Sequence, residues 1–162
     1  MGRAKHKRTS RDGSRFLALP HTVMDSPAYI ALSAHAVRLL LDISRQYTGS
    51  NNGRLVACMA ALNPRGWTSN DTLQNARREL EAARLLVLTR RGARPNKAAW
   101  FALTWASLDY SPEMDEVSPA SFPRGAYTTV KAGAVIAEQM RAQEARRAAK
   151  AKAGRKTIKD AS

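Results

Sequence analysis

Residues 68–105 restrict the possible folds of this chain more than any other feature. The apolar residues in the first part of this stretch are Leu73, Ala76, Leu80 and Ala83. Their spacing of three and four residues predicts one helix with a single buried face. Two short apolar runs follow at once, at 85–90 and 99–105, with a turn rich in Gly, Pro and basic residues between them. This pattern predicts a β-hairpin directly after the helix.

Local signals also predict where this helix begins and ends. Thr68 and Asp71 form a T-x-x-D variant of the capping box, so the helix is expected to begin at Thr68. It is expected to end near Arg84. The predicted hairpin then carries a strongly cationic tip.

Shorter elements are predicted ahead of this unit. Ser33 caps a helix whose expected buried face consists of Ala36, Val37, Leu40, Leu41, Ile43 and Tyr47. The Asn-Asn-Gly cluster at 51–53 ends it, and a short helix near 57–63 follows a possible one- or two-residue strand at Leu55-Val56. The predicted class is α+β and mainly α. The element order is that of a winged helix-turn-helix, with a three-helix core and a two-stranded hairpin wing.

Charge indicates the kind of partner. The chain has 162 residues, with 27 Lys+Arg against 13 Asp+Glu, a net charge of +14 and a pI near 10.9. A chain this basic repels itself unless a polyanion neutralises it. Nucleic acid is the first expectation, an anionic membrane surface the second, and a ribosome-associated basic protein a third.

The distribution of this charge suggests four segments. Residues 1–15 form a disordered basic arm with six Lys/Arg against one Asp. Residues 16–109 form the winged helix-turn-helix domain. Residues 110–127, with prolines and acids and no periodicity, are expected to be a linker. Residues 128–162 form an Ala/Arg/Lys-rich tail that is helical or partly disordered.

The polar side of the main predicted helix carries candidate base contacts. These candidates are Thr68, Ser69, Asn70, Gln74, Arg77 and Arg78. A helix fits the major groove, where amide side chains pair with adenine and guanidinium groups with guanine. The hairpin candidates are Arg90, Arg91, Arg94 and Lys97, which would lie along phosphates or enter the minor groove.

Each feature also has a simpler explanation. Arg77 and Arg78 taken alone fit the solvated face of an amphipathic helix, paired with Glu81. The basic turn could be solvated as well. The combination of an amide-bearing helix with an arginine-rich hairpin immediately after it favours DNA binding over these explanations.

Several longer stretches carry a resemblance to a known group of proteins. They are LSAHAVRLLLDISRQYTGSNNGRL, RGWTSNDTLQNARRELEAARLLVLTRRG and WFALTWASLD. The chain resembles, over about residues 16–109, small winged helix-turn-helix proteins of proteobacterial phages, plasmids and integrated elements. The resemblance implies that fold and DNA binding. This chain departs from the group at Arg84, where such proteins usually have a glycine after the recognition helix.

Other functional classes find little support in the sequence. There is no phosphate-binding P-loop and no H-E-x-x-H motif, and the single Cys58 precludes a cysteine-based zinc cluster. His6, His21 and His35 are scattered. The chain is expected to be non-enzymatic, to need no cofactor or metal and no small-molecule substrate, to avoid membranes, and to reside in the cytoplasm with the nucleoid.

The leading functional hypothesis is sequence-specific binding of double-stranded DNA by a transcriptional regulator of a phage or mobile element. An origin-binding replication protein of a plasmid or phage is the close alternative, since winged helices serve both roles. An RNA- or ribosome-associated structural protein is the alternative from another class. Self-association as a homodimer is left open.

Overall fold

The computed structural model describes residues 15–93 and 95–159, with side chains up to residue 152. The architecture is α+β and mainly helical, with one three-stranded antiparallel sheet. The helices are α1 His21–Met24, α2 Pro27–Ile30, α3 Ala34–Ser44, α4 Met59–Leu62, α5 Asn70–Ala82 and α6 Ala132–Lys159. The strands are β1 Leu55–Val56, β2 Leu86–Arg90 and β3 Trp100–Leu103, and 3₁₀ turns occupy Asn63–Arg65 and Ala126–Thr129.

Helix α3 begins where its sequence predicts. The Ser33 hydroxyl accepts a hydrogen bond from the Ala36 amide at 3.3 Å, which satisfies one of the unpaired N–H groups of the first turn. The buried face consists of Ala36, Leu39, Leu40 and Ile43. The expected burial of Leu41 is wrong, because that side chain is 41% exposed and Leu39 takes the inward position.

The start of α5 corrects the expected cap. Ser69, not Thr68, is the capping residue, and its hydroxyl accepts from the Thr72 amide at 3.2 Å. At the other end, Arg84 adopts a left-handed backbone with φ of 51°. A non-glycine residue there bears a cost of about 1–2 kcal/mol. Arg84, where the sequence departs from the group that it resembles, therefore has a strained backbone conformation.

The short strand expected at Leu55-Val56 is present as β1 and joins the predicted hairpin in one three-stranded sheet. Strands β2 and β3 form that hairpin, with a register shift between Leu88 and Arg90. The short strand β1 pairs antiparallel with the other edge of β3, placing Leu55 opposite Phe101. Strand β3 is therefore central, in the order β1-β3-β2.

The 110–127 segment, expected to be a linker, packs against the domain instead. Met114 and Tyr127 are each 6% exposed. The amide of Glu116 donates to the Thr89 carbonyl at 3.1 Å, and that of Gly125 donates to the Thr104 carbonyl at 2.8 Å. The sequence suggested a linker because residues 110–127 are rich in prolines and acids and show no apolar periodicity. The segment is held instead by backbone hydrogen bonds to residues far away in the chain, which leave no periodic pattern.

The helix expected in the C-terminal tail is present as α6. Its first turns pack on the domain, and Val135 is fully buried. From Gln143 to Lys152 the side chains are exposed. The predicted N-terminal arm lies, except for Arg15, outside the described residues. No helix within residues 15–93 and 95–159 is long and apolar enough to cross a bilayer.

Candidate nucleic-acid interface

Helix α5 presents a polar face opposite its packed side. Leu73, Ala76 and Leu80 are buried against the core, with α3 as the main helical neighbour. The other side reaches solvent through Asn70, Asp71, Gln74, Asn75 and Arg78, of which Gln74 and Asn75 are half-buried. A side rich in amides with one guanidinium can form bidentate hydrogen bonds with base edges.

Arg77, a predicted base contact, is already held by the protein. Its guanidinium pairs with Glu81 at 2.9 Å and donates to the Gln74 side-chain oxygen at 3.0 Å. It also lies over the Phe101 ring, 5.6 Å from the centroid. Burial raises the pKa of the Glu81 carboxyl, and the adjacent Arg77 charge partly offsets that rise. Arg77 therefore joins α5 to the sheet.

Arg78 is the more available of the two arginines. It is exposed, and among the described residues its side chain makes one hydrogen bond, from Nη1 to the Asn75 side-chain oxygen at a long 3.4 Å. Asn75 was not among the predicted site residues. It lies three residues before Arg78, which is the spacing at which helical side chains meet. The two side chains form an amide–guanidinium pair at the exposed face of α5.

The N-terminal end of α5 carries Thr68, Ser69 and Asn70, all exposed. Ser69 is engaged as the cap, while the Asn70 side-chain oxygen accepts from Gln74 at 3.4 Å. The first N–H groups of any helix lack intrahelical partners and attract anions. This end is where phosphate oxygens would be favoured.

Three arginines that sequence analysis missed surround this end. Arg38 donates to the Arg65 carbonyl at 2.7 Å and lies over the Trp67 ring, 5.0 Å from its centroid. On the other side, Arg146 of α6 reaches the Thr72 hydroxyl at 3.4 Å. Only Arg65, within the turn before α5, had a local signal. The others come from distant parts of the chain.

A buried carboxylate fixes the turn that leads into α5. Asp42 of α3 accepts from the Trp67 ring nitrogen at 2.8 Å and pairs with Arg65 at 2.6 Å. Trp67 is 2% exposed and therefore a core residue. Since one carboxylate binds both sides of the turn, the start of α5 has a set position relative to α3.

Arg90, predicted to contact DNA from the hairpin, is buried at its base. Its side chain is 7% exposed and pairs with Glu113 at 2.9 Å. The guanidinium also donates to the Ala98 carbonyl at 2.9 Å and lies 3.2 Å from the Trp100 ring centroid. Contact with a phosphate would require breaking these interactions. In the structure, Arg90 stabilises the base of the hairpin.

The remaining hairpin candidates differ in their surroundings. Arg91 is exposed but forms an ion pair with Glu116, and its amide donates to the Asp115 carboxylate at 2.9 Å. Lys97 is exposed, and its backbone pairs with Ala93 across the loop. Arg94 lies outside the described residues. The acidic strap, which we define as residues 113–116, therefore reduces the positive charge beside the hairpin.

Comparison with known proteins finds no matching family model, no matching curated protein and no matching solved structure. Within the described part of the chain, no group of three His, Cys, Asp or Glu side chains is arranged to hold a metal ion.

Proposed function

We propose that this protein binds double-stranded DNA in a sequence-dependent way through a winged helix-turn-helix domain. In this proposal α4 and α5 form the helix-turn-helix, α5 enters the major groove, and the β2–β3 hairpin is the wing. A helix about 10–12 Å across matches a groove about 12 Å wide.

One observation carries the proposal. The exposed face of α5 bears Asn70, Gln74, Asn75 and Arg78, and its N-terminal end is flanked by Arg38 of α3 and Arg146 of α6. Arg65 lies there as well, paired with Asp42. Amide and guanidinium groups in the middle of a surface read bases, and cations around them bind phosphates. That division of roles is the one a sequence-specific DNA-binding surface needs.

The cellular role we propose is transcriptional regulation in a phage or other mobile element. It rests on the resemblance described above. Origin binding in replication would use the same surface, so the experiments below test the binding activity that both roles require.

Selection of bound duplexes from a random pool tests sequence dependence, and two variants assign the contacts. Arg78→Ala should weaken binding to the selected site by about 1–3 kcal/mol, that is about 5–150-fold, and relax preference at one base position. Arg91→Ala should weaken binding to all duplex sequences alike. It should also lower the slope of log affinity against log salt concentration by about one, the value for one lost phosphate contact. Fluorescence anisotropy across a salt series measures both effects.

A matched control is Arg45→Ala, which removes the same charge from an exposed position that borders residues 16–18 and Trp105. It should change affinity little. If the pool yields no motif and Arg78→Ala behaves like Arg45→Ala, α5 does not read DNA. Stronger binding to single-stranded RNA than to any duplex would favour the RNA-associated alternative.

The acidic strap makes a separate prediction. Glu116→Gln removes one negative charge beside the hairpin and releases the ion pair with Arg91. Duplex affinity should rise by about threefold at moderate salt, because a phosphate then competes with a neutral amide. Asp25→Asn, the same charge change at an exposed residue after α1, is the control. Equal affinities for the two variants would show that the strap does not oppose binding.

A further inference from the structure

One cluster of polar contacts, together with the packing of the buried Val135, holds helix α6 on the domain. The Gln139 side-chain amide donates to the Ala31 carbonyl and to Glu79, each at 2.7 Å. Glu79 is itself 5% exposed and accepts from the Ser33 hydroxyl at 2.8 Å. This single glutamine therefore joins α6 to the end of α2 and to the last turn of α5, and through Glu79 to the start of α3.

The contacts along α6 show that it runs antiparallel to α5. Gln139 lies against Glu79, and seven residues later Arg146 lies against Thr72, which is seven residues earlier in α5. Thr72 is in the first turn of α5. Residues 147–159 extend the helix by about 20 Å beyond Arg146, and the part from 149 onward, about 16 Å, lies past that end of α5 at about 1.5 Å per residue.

The projecting part of α6 has the composition of a polyanion-binding surface. Arg146, Arg147, Lys150 and Lys152 are all exposed. The sequence adds Arg155, Lys156 and Lys159, and no acidic residue lies between 145 and 159. Alanines fill most of the remaining positions, which favours a helix without supplying an apolar stripe for packing against protein.

We propose that residues 146–159 are a rigid basic arm that lies along the phosphate backbone bordering the groove entered by α5. This inference rests on the proposed DNA-binding function and deepens it. Because the arm emerges beside the end of α5 that carries Thr68–Asn70, it meets the same duplex. A reach of about 16 Å past α5 adds about five base-pair steps, at about 3.4 Å each, to one side of the site.

Two variants of the full chain separate an oriented arm from a flexible cationic tail. In the first, Arg146, Arg147, Lys150 and Lys152 are all changed to Gln. Affinity for the selected duplex should fall by about 10–100-fold at physiological salt, the salt slope should fall by about three, and base preference should stay the same. In the second, Gln139→Ala, every basic residue is kept and only the polar contacts of Gln139 with Ala31 and Glu79 are lost.

Gln139→Ala should lower affinity by about fivefold and shorten the hydroxyl-radical footprint on one side. Gln143→Ala, at an exposed position one turn further on, is its control and should match the wild type. Circular dichroism verifies that the variants remain folded.

Each contrary outcome would contradict a different part of the proposal. If the quadruple variant loses affinity but Gln139→Ala behaves like Gln143→Ala, the polar contacts of Gln139 do not orient the basic segment, and an arm held in direction by them is wrong. If the quadruple variant binds normally while Arg78→Ala does not, α6 makes no DNA contact although the proposed function stands. If neither the quadruple variant nor Arg78→Ala changes binding to any duplex, the proposed DNA-binding function is wrong as well.

Discussion

Replacing Asn52 by alanine should destabilise the protein by about 4 kcal/mol and lower its Tm by about 10 °C. Asn52 is fully buried. Its side-chain oxygen accepts from the Leu103 amide at 2.7 Å, and its amide donates to the carbonyls of Leu103 and Ser107, both at 2.9 Å. Alanine would leave the buried Leu103 amide without a partner, leave the Leu103 carbonyl only a long 3.4 Å bond from the Ala106 amide, and remove the bond to the part-buried Ser107 carbonyl. Each buried group that loses its partner costs about 1–3 kcal/mol.

The expected loss is large because Asn52 takes the place of a strand. Strand β1 ends its pairing with β3 at Leu55 and Phe101. Beyond that point the Asn52 amide, which has the donor and acceptor of a peptide group, pairs with both backbone groups of Leu103. It therefore extends the hydrogen-bonded edge of the central strand by one residue.

Asn51→Ala is a closely matched control. Asn51 is the adjacent residue of the same type, and its side chain accepts from Thr48 and donates to Gln46 in a half-exposed turn. Water can replace those partners, so the loss should stay near or below about 1 kcal/mol. Chemical denaturation of both variants measures the difference. Equal losses would mean that Asn52 is not the substitute for a strand described here.

Glu79→Ala should cost about 3 kcal/mol, the second largest expected effect. The Glu79 carboxylate accepts from the Ser33 amide and hydroxyl and from Gln139. It thus completes the cap of α3 from a different helix and anchors α6 at the same time. Alanine removes the only acceptor these three donors share and leaves a cavity at a buried position.

Glu79→Gln separates loss of shape from loss of charge. One amide oxygen can still accept from Ser33 and Gln139, and the amide nitrogen can donate to the Ser33 hydroxyl, so a cost near about 1 kcal/mol is expected. Glu81→Ala, on the same helix but half-exposed, is the control for removing a carboxylate. Hydrogen exchange should show faster opening of the first turns of α6 in Glu79→Ala than in either other variant. Unchanged protection there would contradict the anchoring role of Glu79.

The sequence specified most of the local elements correctly. Ser33 caps α3, the apolar spacing of Leu73, Ala76 and Leu80 gives the buried face of α5, and the basic turn lies between two paired strands. These features depend on residues within one or two turns of each other, so their physical causes can be read directly from neighbouring positions. Thr68 shows the limit, because Ser69 offers an equally good cap one residue later.

The candidate site was predicted only in part. Arg77 and Arg78 are the same residue type on one helix, yet Glu81 and Phe101 hold the first while the second reaches solvent. In the hairpin, Glu113 forms an ion pair with Arg90 and makes its guanidinium unavailable in the same way. A side chain's availability depends on which partners surround it, and the sequence gives no distance to those partners.

The sequence by itself determined helices α3, α4, α5 and α6, the hairpin, the excess of positive charge and its concentration near the two ends of the chain. Tertiary structure alone decided that residues 110–127 pack on the domain, that Glu79 caps a second helix, and that α6 brings Arg146 beside α5. The reason is the separation along the chain. Gln139 lies sixty residues from Glu79 and Asn52 about fifty from Leu103, and contacts over such lengths form only when the whole core has folded.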